Sequence, residues 1–234
     1  MLFAVAGVAG CAGPADQRVD VFAAASLTEA FEDIGVAFER ESTADVRFNF
    51  GASSDLARSI LDGSPAQVFA AADMDSMHLV ADGGSAESPE SFASNEMAIA
   101  VARGNPLAID ELGDLSEVSV ALCAPEVPCG RYARRVLESA GVALEPRSFE
   151  PDVKAVLSRV ALGEVDAGVV YGTDVLAAAD QVSSVEIPDE HNLRVVYPIA
   201  LIGHESTPGA QDFYAFVLSD VGQAILRSHG FGSS

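Results

Sequence analysis

Five places in this 234-residue chain put a hydrogen-bond donor where a strand gives way to a helix. Ser26 follows a small apolar run over residues 19–25. Ser53 closes the turn Phe50-Gly51-Ala52-Ser53-Ser54, and a Cys129-Gly130 turn follows the strand-like Val118-Ser119-Val120-Ala121-Leu122. Asp152-Val153 opens another helix, and Tyr171 ends the buried run that begins at Val165. All five offer hydroxyls or backbone N–H groups, and none is a cation. In open α/β sheets, ligands bind beyond the carboxyl ends of strands, where helix N-termini converge. Neutral donors gathered there suit an oxyanion whose charge is held by hydrogen bonds and helix dipoles, with no lysine or arginine required. Ser26 also has a local reading. With Glu29 it has the spacing of a capping box, in which the serine oxygen serves only its own helix.

The elements that position these ends follow from periodicity. From Leu27 the apolar residues Leu27, Ala30, Phe31, Ile34 and Phe38 form a helical stripe, and Val46 to Phe50 alternates with period two. Val68 to Ala71 reads as a third strand, closing on Asp73. Residues 82–95, rich in Gly, Ser, Glu and Pro, read as surface connection, and Met97 to Arg103 as a strand. Asp152 is expected to cap a helix with Val153, Val156, Leu157 and Val160 on its inner face. Arg194 to Gly203 reads as a long strand and Ala210 to Arg227 as a single closing helix. Strands alternating with helices predict an α/β fold with a mostly parallel sheet. The chain crosses near 95–105 and again near 190–200, which predicts two lobes with a ligand cleft between them. Residues 18–96 plus 197–234 form one lobe and 97–196 the other.

Composition excludes several functions. There is no Trp, only 7% of residues are aromatic, and the formal net charge is -22 with Lys154 as the sole lysine. Such a chain repels a phosphate backbone, so nucleic-acid binding is excluded. No Gly-x-Ser-x-Gly elbow, Gly-x-Gly-x-x-Gly or Walker pattern is present, and His78, His191, His204 and His229 lack metal-ligand spacing. The chain therefore reads as a binding protein without cofactor. The competing readings are a hydrolase using a cleft serine or cysteine, and a carrier of sulfate or another small oxyanion.

Residues 1–17 read as a lipoprotein signal remnant and tether. The apolar Met1 to Gly10 ends in Val8-Ala9-Gly10-Cys11, which marks Cys11 for acylation, although no basic residue precedes Arg18. Export exposes Cys123 and Cys129 to oxidising conditions, where they are expected to form a disulfide across a short loop; two small buried thiols are the alternative.

From Val19 to Gly232 the chain resembles the substrate-binding proteins of bacterial ABC-type molybdate importers. The resemblance is carried by Val21-Phe22-Ala23-Ala24-Ala25-Ser26-Leu27, Phe50-Gly51-Ala52-Ser53-Ser54, Val127-Pro128-Cys129-Gly130, Asp152-Val153 and Gly168-Val169-Val170-Tyr171-Gly172-Thr173-Asp174. It implies a type II periplasmic-binding-protein-like fold that closes on molybdate or tungstate, a membrane permease as partner, and a monomer reaching the membrane only through its lipid anchor. It also implies roles. Ser26 and Ser53 donate through hydroxyl and backbone, Cys129 and Val153 through backbone N–H, and Tyr171 through its phenol. Where related proteins often have alanine this chain has Cys129, and a backbone role tolerates that change. Mass spectrometry of the membrane-extracted protein should find diacylglycerol on Cys11; an unmodified Cys11 with its leader attached would refute the anchor.

Overall fold

The computed structural model describes residues 18–203 and 206–234. Cys11, the expected acylation site, and His204 lie outside the described residues. The first half opens with β1 (Arg18–Ala24), a 3-10 turn at Ala25–Leu27 and α1 (Thr28–Glu39). It continues through β2 (Asp45–Gly51), α2 (Ser53–Leu61), β3 (Val68–Ala70) and α3 (Met74–Asp82). The long β4 (Ala86–Ala102) leads to β5 (Val120–Cys123), α4 (Pro128–Ser139), β6 (Ser148–Glu150), α5 (Val153–Ala161), β7 (Ala167–Tyr171), α6 (Gly172–Ala177) and β8 (Val182–Glu186). The chain then returns along β9 (Arg194–Ile202) and ends in α7 (Pro208–Leu218) and α8 (Asp220–Ser228).

The sheet order is β2-β1-β3-β9-β4-β7-β5-β6, with β8 beside β4. Within each half the strands that feed the helices run parallel: β1 with β2 and β3, and β5 with β6 and β7. The strands that pass between the halves are antiparallel, so the sheet is mixed where the sequence suggested mostly parallel pairing. β4 makes the passage. Up to Glu96 it pairs with β9, and from Met97 it pairs with β7, while β8 joins it from Ala98.

Two expectations are corrected here. Residues 82–95 are largely strand, because β4 begins at Ala86. Register shifts between positions 87 and 90 and between Ser91 and Ala93 break the alternation by which a strand is recognised, and they accommodate Pro89 within it. The closing helix is two helices. They part at Ser219, whose hydroxyl accepts from the Gly222 amide at 3.3 Å, so a local cap ended a stripe that periodicity had carried through.

The first half is packed by phenylalanines. Phe31 on α1 lies 5.9 to 6.3 Å from Phe48, Phe92 and Phe213, tying helix, sheet and C-terminal helix together. In the second half every residue of β7 is buried, as its continuous apolar sequence requires. Cys123 and Cys129 form a disulfide that joins the end of β5 to the first turn of α4. That turn lies hard against the loop before it. A Cβ at Gly130 would stand 2.0 Å from the Ala124 carbonyl oxygen, which only glycine avoids. Gly130→Ala should therefore lower stability by about 1–3 kcal/mol in urea unfolding; unchanged stability would show that the turn has room to move.

Candidate functional site

β1, β2, β5, β6 and β7 each end at the same place. Around it Ser26, Ser53, Cys129, Val153 and Tyr171 line one small cavity, together with Ala24, Ala25, Gly51, Ala52, Ala72, Pro128 and Asp152. The five are at most 4% exposed. The cavity measures about 20 Å³, on a scale where one water needs about 10–15 Å³. It is of the order of one water-sized group. The remaining lining residues are mostly small, which lets the backbone approach closely whatever lies inside.

Helix ends explain what the cavity offers. Ser53 is the first residue of α2, Val153 the first of α5, and Cys129 the second of α4. First-turn amides have no partner within their own helix. Elsewhere the chain caps such amides with side chains: Asp73 accepts from Ser76, Thr207 from Ala210 and Ser219 from Gly222. At the cavity α2 and α4 have no side-chain cap. α5 is the exception, since Asp152 accepts from the Ala155 amide at 2.9 Å, as expected, but that bond leaves the amide of Val153 free. Uncapped helix starts facing an enclosed space present partial positive charge without a cation.

The hydroxyls are arranged similarly. Ser53 Oγ accepts from the Ala72 amide at 2.9 Å, so its own hydrogen is available to the cavity. The Tyr171 hydroxyl is buried and has no hydrogen-bond partner. Burial, followed by the neighbouring Tyr197, raises its pKa well above the ordinary phenol value, so it stays a donor. Ser26 differs from its local reading. It sits inside the 3-10 turn, and its Oγ lies 2.9 Å from the Tyr197 hydroxyl and caps nothing. Glu29 is drawn away to Lys154, whose Nζ donates to both carboxylate oxygens at 2.8 and 2.7 Å. No capping box forms, because both of its side chains find better partners more than a hundred residues away.

Cations near the cavity are neutralised by carboxylates. Lys154, next to Val153, also lies 3.2 Å from Asp174 Oδ1, in ion-pair contact but outside hydrogen-bond alignment. Burial works to lower its pKa, but Asp174 and Glu29 outweigh this and raise it. Arg131 on α4 pairs with Asp73 beside Ala72 and lies 3.8 Å from Asp75. Among the described residues no group of three or more His, Cys, Asp or Glu side chains is placed to hold a metal ion.

A family model for bacterial extracellular solute-binding proteins matches residues 19–232. The chain is 40% identical over 243 residues to the molybdate-binding protein ModA of Mycobacterium tuberculosis, strain H37Rv, spanning 97% of this chain and 93% of that one. It belongs to the molybdate-binding branch of the bacterial extracellular solute-binding proteins. ModA of Escherichia coli K12 is 30% identical over 237 residues, spanning 96% of this chain and 92% of that one. The periplasmic molybdate-binding protein of Azotobacter vinelandii superposes with a TM-score of 0.81 at 20% identity, over 92% of this chain and 99% of that one, and shares the fold. The family binds solutes and does not catalyse reactions. No helix among the described residues is long and apolar enough to cross a membrane.

Several residues around this cavity carry no local sequence signal. Tyr197 is 171 positions from Ser26, and Asn95 falls in the stretch that reads as surface connection. Asp174 is fully buried, and burial raises its pKa from 3.8 to about 6 against the opposing pull of Lys154. The folded chain thus holds a proton that the unfolded chain releases between those values. The resulting stability is complete below about pH 3.8 and is lost as pH rises through about 6. Asp174→Asn should remove that fall, worth about 3 kcal/mol at 1.36 kcal/mol per unit, in urea unfolding followed across the range. A slope shared by both proteins would assign it to other groups.

Proposed function

We propose that this chain captures molybdate, and tungstate, between two lobes and delivers it to the membrane permease of an ABC importer. The supporting observation is the convergence of uncapped helix starts and three hydroxyls on one small buried cavity without an unpaired cation. The lobes are residues 18–96 with 197–234, and residues 97–196; the change of β4 from β9 to β7 at residue 97 supports this division. In this reading Ser26 and Ser53 bind through hydroxyl and backbone, Cys129 and Val153 through backbone N–H, and Tyr171 through its phenol. Molybdenum is held only as its oxyanion. The carrier works as a monomer, tethered to the outer side of the membrane through Cys11.

Magnitudes support such a site. Hydrogen bonds to a charged group contribute about 1.5–3 kcal/mol each, so four or five give micromolar affinity or better after the costs of association. Selectivity has two sources. A rigid ring of donors spaced for a larger tetrahedral dianion leaves sulfate short of some of them. Hydrogen phosphate carries a proton and finds no acceptor. The net charge of -22 opposes an arriving dianion, so association should be slow and should quicken as salt screens the field.

Thermal-shift titration with molybdate, tungstate, sulfate and phosphate tests the proposal. Upshifts with the first two and little with the others are expected, and Tyr171→Phe should weaken molybdate binding by about 1–3 kcal/mol. A response to sulfate alone would support the sulfate carrier, and no response to any of the four would end the oxyanion reading.

A further inference from the structure

Behind Ser26 lies a buried chain of polar groups that does not touch the cavity. Asn95 on β4 accepts from the Glu96 amide through Oδ1 at 2.9 Å, which fixes the orientation of its side-chain amide. Its Nδ2 therefore faces Thr173 Oγ1 at 2.8 Å and the Tyr197 hydroxyl at 3.4 Å. A nitrogen that only donates cannot take the phenolic hydrogen. That hydrogen must go to the other neighbour, Ser26 Oγ, 2.9 Å away. Burial raises the Tyr197 pKa, so the phenol keeps its proton. Asn95, Tyr197 and Ser26 are 6%, 0% and 4% exposed, so bulk water does not compete for these bonds.

We infer that Tyr197 is a positioning residue that sets specificity: by donating to Ser26 Oγ it turns the serine hydrogen toward the cavity and keeps that hydroxyl a donor. The Ala72 amide does the same for Ser53, and Tyr171 has no internal partner to accept from it. The two serine hydroxyls then point hydrogens inward, and the Tyr171 hydroxyl is free to donate as well. An oxyanion carrying a proton needs at least one acceptor, and Ser26 Oγ, with one lone pair taken by Tyr197 and its hydrogen turned inward, is poorly placed to be one. Rejection of protonated oxyanions thus depends in part on a residue that never contacts the ion. This inference rests on the oxyanion reading and adds to it the origin of one selectivity.

The test is competition between molybdate and inorganic phosphate in mildly alkaline buffer, where both are mainly dianions and only phosphate carries a proton. Tyr197→Phe should weaken molybdate binding roughly tenfold, about one strong hydrogen bond, while phosphate competes at least tenfold better relative to molybdate than in the wild type. In a Ser26→Ala background the same change should cost molybdate almost nothing, because Tyr197 acts through Ser26. Equal losses for both ions, or an undiminished loss with Ser26→Ala, would overturn the inference and leave the oxyanion reading standing. Failure of the wild type to bind molybdate would remove both. If Tyr197→Phe does not fold, Asn95→Leu releases the phenol to turn; a smaller loss of molybdate affinity, again absent with Ser26→Ala, is expected, and an undiminished loss would overturn the inference.

Discussion

A small dianion taken out of water loses hydration worth tens of kcal/mol, and only fixed dipoles or opposite charges at close range replace it. The architecture around this cavity meets that constraint with dipoles. Five strands end at one point, and three of the helices that follow begin there, α2 and α4 without a side-chain cap and α5 with only its Ala155 amide taken by Asp152. Half of the lining is alanine, glycine and proline, so the backbone can approach closely. Elsewhere the same chain closes helix starts with Asp73, Thr207 and Ser219. The contrast is local. At the cavity, α2 and α4 go without such a cap.

The charged groups nearby serve a different purpose. Lys154 on α5 reaches Glu29 on α1, and Arg131 on α4 reaches Asp73 at the start of α3. Each pair spans the two halves of the sheet, one beside Val153 and the other beside Ala72. The Lys154–Glu29 pair is partly exposed, so it contributes about 0–1 kcal/mol. Asp174 is the costly member, a fully buried carboxylate kept near Lys154 without a well-aligned hydrogen bond.

How much was legible in the sequence follows from which interactions are local. Strand-to-helix transitions are local, so Ser26, Ser53, Cys129, Val153 and Tyr171 were found from changes of periodicity, and the structure brings them to one cavity. The Asp152 cap was legible for the same reason. The partners of those residues were not. Ser26 and Glu29 have capping-box spacing, yet each is claimed by a residue from the other end of the chain, and no window of local sequence contains Tyr197 or Lys154. β4 was hidden because its first half owes its conformation to β9. Its Ser, Glu and Pro content and its bulges erase the alternation, and pairing with a nearly buried neighbour overrides weak propensity.

A dianion held among neutral donors, with every nearby cation neutralised by carboxylates, has a definite crystallographic signature. A crystal structure of the molybdate complex, with the metal placed by anomalous scattering, tests it most directly. Molybdenum is expected in the cavity beyond β1, β2, β5, β6 and β7, its oxygens within hydrogen-bond distance of Ser26, Ser53, Cys129, Val153 and Tyr171, and Lys154 and Arg131 still on their carboxylates. An ion found elsewhere, or one contacted by Lys154 or Arg131 after release from Glu29 or Asp73, would contradict it.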